Sequence, residues 1–199
     1  MILPTTYELP SGLQATLDAL PTGLVEHIQR VRVIAVELAE GHKLDKIRVD
    51  FAAAAHDIAR ADADHSLLAE AQTAGIPITN VDEDNPMLLH GPVGAKRLRA
   101  NLGVNDDEIL EAVYWHTTAL ATMGSIAKVV FLADKMDLSK ASRYPHIGHV
   151  RELASDDLDE AIVEFLKGDL IRLLSEGKMA HPSSIEALNG LLYTMKMAH

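Results

Sequence analysis

Six side chains able to hold a metal or move a proton stand where helices should be apolar: His27, His56, Asp57, His90, His116 and Asp134. The densest signal is the adjacent pair His56-Asp57 in the stretch Phe51 to Arg60, FAAAAHDIAR, behind four alanines and ahead of an isoleucine. An imidazole beside a carboxylate suits a divalent transition metal, whereas burying either group without a partner is costly. Singly, each residue has an ordinary reading. His56-Asp57 reads as a core histidine bonded to a neighbouring acid, His27 as a helix-surface residue, and Asp134 as a cap or a partner of Lys135. Together, four histidines and two aspartates need a common partner to escape desolvation, and a metal centre inside a helical bundle supplies one.

The elements that must position them are helical. Hydrophobic residues make up 48% of the 199 and aromatics only 4%, a composition of packed helices rather than sheets. Leu24, Ile28, Val31, Ile34, Ala35 and Leu38 share one face of a predicted helix from Leu24 to Glu40, stopped by Gly41, with His27 on the edge of that stripe. A second helix is predicted over Lys43 to Arg60, which puts Arg60 on surface neighbouring His56 and Asp57. A short helix from Asp64 to Ala74 ends at Gly75, and the turn-rich loop Gly75 to Pro86 reads as a functional rim. Pro92 opens a helix that stops at Gly103 and leaves His90 at its entrance. Asn105 and Glu108 resemble a capping box for a helix through His116, and a helix from Ser125 to Asp137 carries Asp134. Further helices are predicted near His149 to Ala154, over Asp157 to Ser175, and over Ser183 to Met195, the last with Ser183 and Glu186 as a capping box. The expectation is an all-α, single-domain bundle over residues 23–199, preceded by a Pro- and Gly-rich N-terminal extension, residues 1–22, with one short helix within Leu13 to Leu20.

Composition excludes several classes. There is no cysteine, hence no disulfide framework and no thiolate ligand, so a metal must be held by His and carboxylates. The start MILPTTYELPSG lacks the basic residues and apolar run of a signal peptide. No apolar stretch approaches the ~18 residues of a membrane span, and a cytoplasmic protein is expected. A net charge of −11 argues against nucleic-acid binding, yet a metal centre can invert the local field and draw a small anionic substrate.

The order H…HD…H…H…D and its local contexts go further. EHIQRV surrounds His27, AAHDIAR holds His56-Asp57, LLHGPVGA holds His90, YWHTTA holds His116 and KVVFLADKMD holds Asp134; RELASDDLDEAI and GKMAHPSSIEALN complete the tail. In this the chain resembles the HD-domain metal-dependent phosphohydrolases, and within them the YqeK-type proteins that hydrolyse diadenosine tetraphosphate symmetrically. The resemblance runs from about Gly23 to Leu192. It implies two divalent transition metals, iron in the family's usual description, with Mn, Co or Zn acceptable to the same donors. By analogy His27, His56, Asp57 and Asp134 bind one metal, while Asp57 bridges to a second completed by His90 and His116. The implied chemistry is attack on a phosphoanhydride by water activated between the metals, with Asp57 and Arg60 as the catalytic residues and two ADP as products. A homodimer is implied by resemblance alone.

Substrate contacts are expected from Arg60, Thr117, Thr118, Lys140 and Arg143. Arg60 stands where the family usually has lysine, and reads either as a phosphate ligand or as a solvated helix-end cation. Thr117 and Thr118 read equally as phosphate-facing hydroxyls or as helix-end caps. Two departures bear on substrate. After His-Thr-Thr the family continues Gly-Arg-Pro, but this chain has Ala119-Leu120-Ala121. After Asp134 the family's Tyr-Ile-Glu-Pro is Lys135-Met136-Asp137-Leu138 here. Two alternatives stay open, a nucleotide phosphatase acting on phosphomonoesters with the same metal site, and a non-catalytic nucleotide-binding protein, which the Leu120 departure keeps in play.

Overall fold

The computed structural model describes residues 6–140 and 143–197, and every regular element among them is helical. In chain order these are α1 (Ser11–Asp18), α2 (Thr22–Gly41), α3 (Lys46–Ala55), α4 (Asp64–Thr73), α5 (Asn80–Asp84), α6 (His90–Leu102), α7 (Asp107–Trp115), α8 (Ser125–Lys135), α9 (Ile147–Asp156), α10 (Leu158–Ser175) and α11 (Pro182–Met197). Single 3-10 turns at Pro86–Leu89 and Leu138–Lys140 lead into α6 and follow α8. No helix among the described residues is long and apolar enough to cross a membrane.

Helix α8 is the axis of the bundle. Val129 to Lys135 are all buried, as expected of a helix surrounded on every side. The main core gathers α8 with α10, α9 and the inner faces of α2 and α3. Ala52 to Ala55 are fully buried. Their small side chains let α3 lie close against its neighbours, which brings the residues that follow it to the centre of the protein. A second cluster joins Leu13 and Leu17 of α1 to Ile28, Ile58, Leu98 and Val113. Each of those leucines contributes about 1.5–3 kcal/mol through burial. The N-terminal segment is also tied down by charge: Arg32 donates to both oxygens of buried Asp50 and to the Tyr7 carbonyl, and the Tyr7 amide donates to Asp50.

Several expected boundaries move, each for a physical reason. Helix α3 ends at Ala55 rather than Arg60, because His56 turns its ring back onto the Ala53 carbonyl and the chain continues in tight turns. The loop Gly75 to Pro86 contains α5, closed by a capping box between Thr79 and Asp82. Helix α6 starts at His90, two residues before Pro92, because the preceding 3-10 turn feeds straight into it. Asp106, not Asn105, caps α7 by accepting from the Glu108 and Ile109 amides; Asn105 instead donates to the Gly103 carbonyl. At α11 the Ser183 amide donates to the ring of His181, in place of the expected Ser183–Glu186 box.

Candidate metal centre and active site

Five helices deliver the six residues to one point. His27 lies in the second turn of α2, His56 and Asp57 follow α3, His90 opens α6, His116 follows α7, and Asp134 lies in the last turn of α8. All six are buried. Gly91 allows α6 and α7 to approach: a Cβ there would stand 2.8 Å from the Tyr114 carbonyl oxygen and 2.9 Å from that of Val113, directly beside the His116 ring.

The carboxylate of Asp57 faces two ways. Its Oδ1 is 2.9 Å from His90 Nε2 and 3.4 Å from His116 Nε2. Its Oδ2 is 3.4 Å from His56 Nε2 and 3.6 Å from His27 Nε2. Asp134 Oδ1 adds to the second group, 3.0 Å from His27 Nε2 and 3.7 Å from His56 Nε2. The result is two ligand groups, Asp57-His90-His116 and His27-His56-Asp57, each compact enough for one ion and sharing Asp57.

The donor set fits cations. His56, His90 and His116 each direct Nδ1 at a backbone carbonyl, of Ala53, Met87 and Val113 respectively, which turns Nε2 toward the centre as the atom that would meet a metal. His56 Nε2 is fully buried and has no hydrogen-bond partner among the described residues. His90 Nε2 and His116 Nε2 stand only 2.8 Å apart. Lone pairs and carboxylate oxygens converging in this way call for positive charge between them.

The electrostatics of the bare side chains say the same. Burial alone would lower the His56 imidazole, but the charges of Asp57 and Asp134 outweigh it and raise His56 to about 10. In His116 burial wins and the imidazole falls to about 3. Burial would raise Asp57 and Asp134, yet the surrounding imidazoles hold Asp57 well below the usual carboxylate range, and Lys135 and Lys140 do the same for Asp134. The centre therefore keeps both carboxylates ionised and takes up positive charge wherever it can.

Above it opens a cavity of about 550 Å³. Every expected substrate contact lies on its wall: Arg60, Thr117, Thr118, Lys140 and Arg143. The Thr117 hydroxyl lies 3.2 Å from His116 Nε2 and 3.4 Å from His90 Nε2. Lys140 donates to Asp134 Oδ1, and Lys135 to Oδ2 at 2.9 Å. Leu120 is not on this wall but packs against the main core, so its replacement of an arginine puts no apolar side chain into the cavity. Ala119, at the family's glycine position, keeps the left-handed backbone with φ of 66°.

Sequence reasoning missed several residues. Asp137, 1% exposed, accepts from Arg30 and faces His27. Its sequence signals are a carboxylate three residues after Asp134 and its place opposite the glutamate of the resembled family's Tyr-Ile-Glu-Pro. Arg172, Lys178 and His181 reach the cavity from the C-terminal third, far from the other site residues in sequence. The His181 ring lies 3.4 Å from Asp82 and accepts from the Ser183 amide at the start of α11.

Known proteins are similar to this chain. The HD domain family matches residues 24–139. The symmetrical bis(5′-nucleosyl)-tetraphosphatase of Bacillus subtilis (strain 168) is 30% identical over 183 residues, covering 90% of this chain and 97% of the relative. The protein of the same name from Halalkalibacterium halodurans is 29% identical, covering 93% and 97%. The crystal structure of an HD superfamily hydrolase from Clostridium acetobutylicum superimposes with a TM-score of 0.86 at 24% identity, over 92% of this chain and 96% of the other. This chain belongs to the HD-domain family, alongside relatives named symmetrical bis(5′-nucleosyl)-tetraphosphatase.

Proposed function

We propose that this chain is a two-metal phosphohydrolase that splits a dinucleoside tetraphosphate at its central anhydride, taking diadenosine tetraphosphate and water to two ADP. The observation that carries the reading is the divided carboxylate of Asp57, one oxygen on each imidazole group, beneath a cavity walled by cations. In this reading His27, His56, Asp57 and Asp134 hold one cation, and Asp57, His90 and His116 hold the other. Iron(II) is the metal assigned first, with manganese or cobalt suited to the same donors. Two such cations would lower the pKa of a water at the phosphorus and offset charge on the phosphoryl oxygens.

The remaining work falls to the protein's own side chains. Arg60, Lys135, Lys140, Arg143, Arg172 and Lys178 line the cavity of a chain whose net charge is −11. Concentrated cations in a low-dielectric cleft draw a polyphosphate inward against the overall repulsion. Among the described residues Arg60 Nη1 stands 3.5 Å from His90 Nδ1 and Arg143 lies over the Tyr144 ring, neither paired with a carboxylate, so both guanidinium groups can turn to phosphate oxygens. Thr117, with its hydroxyl against the His90 and His116 rings, orients an oxygen at the reacting phosphorus. The cavity volume is that of a site able to enclose most of a small ligand.

Product analysis tests the reading. Protein loaded with Fe²⁺, Mn²⁺ or Co²⁺ is expected to convert diadenosine tetraphosphate to ADP alone, with one oxygen of the ADP pool drawn from labelled water. ATP plus AMP, inorganic phosphate released from mononucleotides at a higher rate, or binding without turnover would each contradict it.

A further inference from the structure

Three of the four site histidines share one anchor. His56, His90 and His116 each cap the end of a helical turn and direct Nδ1 at the carbonyl three residues earlier. Such carbonyls are left over at a helix end, which is why the imidazoles can take them. His27 lies inside α2, where the neighbouring carbonyls are already bonded along the helix. Its Nδ1 lies 2.5 Å from Asp137 Oδ2 instead.

We propose that Asp137 is the positioning residue for His27, fixing the tautomer that turns Nε2 toward the centre and so setting the metal affinity of the His27 half alone. The inference rests on the two-metal reading of the site. Asp137 is otherwise surrounded by donors. Arg30 Nε donates to Oδ1 at 2.9 Å and Arg30 Nη2 to Oδ2 at 3.1 Å, while the Ser139 amide and hydroxyl donate at 3.2 and 2.8 Å. The bidentate guanidinium fixes the plane of the carboxylate. Both ring nitrogens face carboxylates, Nδ1 toward Asp137 and Nε2 toward Asp134 Oδ1 at 3.0 Å; a cation held at the centre would need the Nε2 lone pair, which assigns the hydrogen to Nδ1 and its acceptance to Asp137. A carboxylate accepting this hydrogen also makes the imidazole a stronger donor to a metal than a backbone carbonyl does. The three other histidines depend on the backbone, which side-chain substitution cannot remove. His27 depends on one replaceable group.

The test is titration of metal-free chain with Mn²⁺ by calorimetry and with Co²⁺ by visible absorption. Wild type is expected to bind two equivalents. Asp137→Asn keeps the shape but can present its oxygen to His27 or Arg30, not both. It is expected to bind one equivalent as wild type does and the other about 10–100-fold more weakly, with the Co²⁺ spectrum of only one equivalent altered. Asp137→Glu keeps the acceptor and should recover most of the loss. Arg30→Gln, at a half-exposed side chain that leaves the carboxylate in place, should weaken the same equivalent by less, and it serves if the Asn variant fails to fold. Equal affinities in Asp137→Asn and wild type, or equal weakening of both equivalents, overturn the positioning role while leaving the two-metal site standing. A wild-type chain that takes up no metal overturns both.

Discussion

The floor and the rim of the cavity are built differently. On the floor His56, His90 and His116 are 2% exposed or less, and their rings are fixed by backbone carbonyls at helix ends. On the rim Arg60 and Arg143 are exposed, Lys140 is half-buried, and all three reach inward on long side chains from turns and loops. A floor set by the backbone allows one geometry. A rim of long cations, with Lys135, Arg172 and Lys178 on the same cavity, tolerates exchange. Floor substitutions should therefore remove turnover, and rim substitutions should shift substrate affinity.

The largest expected effect is Asp57→Ala. Metal-assisted charge stabilisation is worth several kcal/mol, so kcat should fall by about a thousandfold or more in a steady-state assay. Arg60→Ala and Arg143→Ala should instead raise KM by about tenfold each, the loss of one charge-assisted hydrogen bond, with little change in kcat and none in metal uptake. A fall in kcat with constant KM for Arg143→Ala would erase the distinction between floor and rim.

Metal uptake should depend on pH in a defined sense. His56 is raised to about 10, so the metal-free centre carries that proton at neutral pH and must release it to offer Nε2. Apparent metal affinity is expected to rise about tenfold per pH unit for each proton displaced, flattening near pH 10; calorimetry in two buffers of different ionisation enthalpy counts the protons. Without metal the sign for stability is the reverse. A folded-state pKa raised above the ordinary 6.5 stabilises the fold fully below that value, and the contribution is lost as pH rises toward 10.

Two smaller effects test how the backbone seats the floor. Gly91→Ala puts a methyl 2.8 Å from the Tyr114 carbonyl oxygen and should cost about 1–3 kcal/mol, read from a denaturant midpoint. Ala119→Gly should do the opposite, stabilising by roughly 1 kcal/mol because φ of 66° strains any residue with a Cβ.

The floor was legible in the sequence because each of its residues is a polar group interrupting an apolar helical stripe or a helix end. Histidines next to Ala55, Leu89 and Trp115 stand out against such neighbours even before any partner is known. The helix boundaries were less legible. Nothing in KIRVDFAAAAHDIAR says that the chain unwinds after Ala55; the reason is the His56 ring returning to the Ala53 carbonyl. The His27 anchor and the C-terminal part of the rim were not legible, whereas Arg60, Thr117, Thr118, Lys140 and Arg143 were expected from their places beside the ligand motifs. His27 and Asp137 are 110 positions apart, and Arg172 and Lys178 reach the cavity only because α10 packs beside α8. Pairings of that kind belong to tertiary packing, and no local periodicity encodes them.

The central claim is that one carboxylate serves two cations, and metal counting tests it most directly. Elemental analysis of chain reconstituted with Fe²⁺ or Mn²⁺ should give two metals per wild-type chain. It should give well under one for Asp57→Ala, since both groups lose their shared ligand. An Asp57→Ala chain that still held two metals per chain would contradict the account.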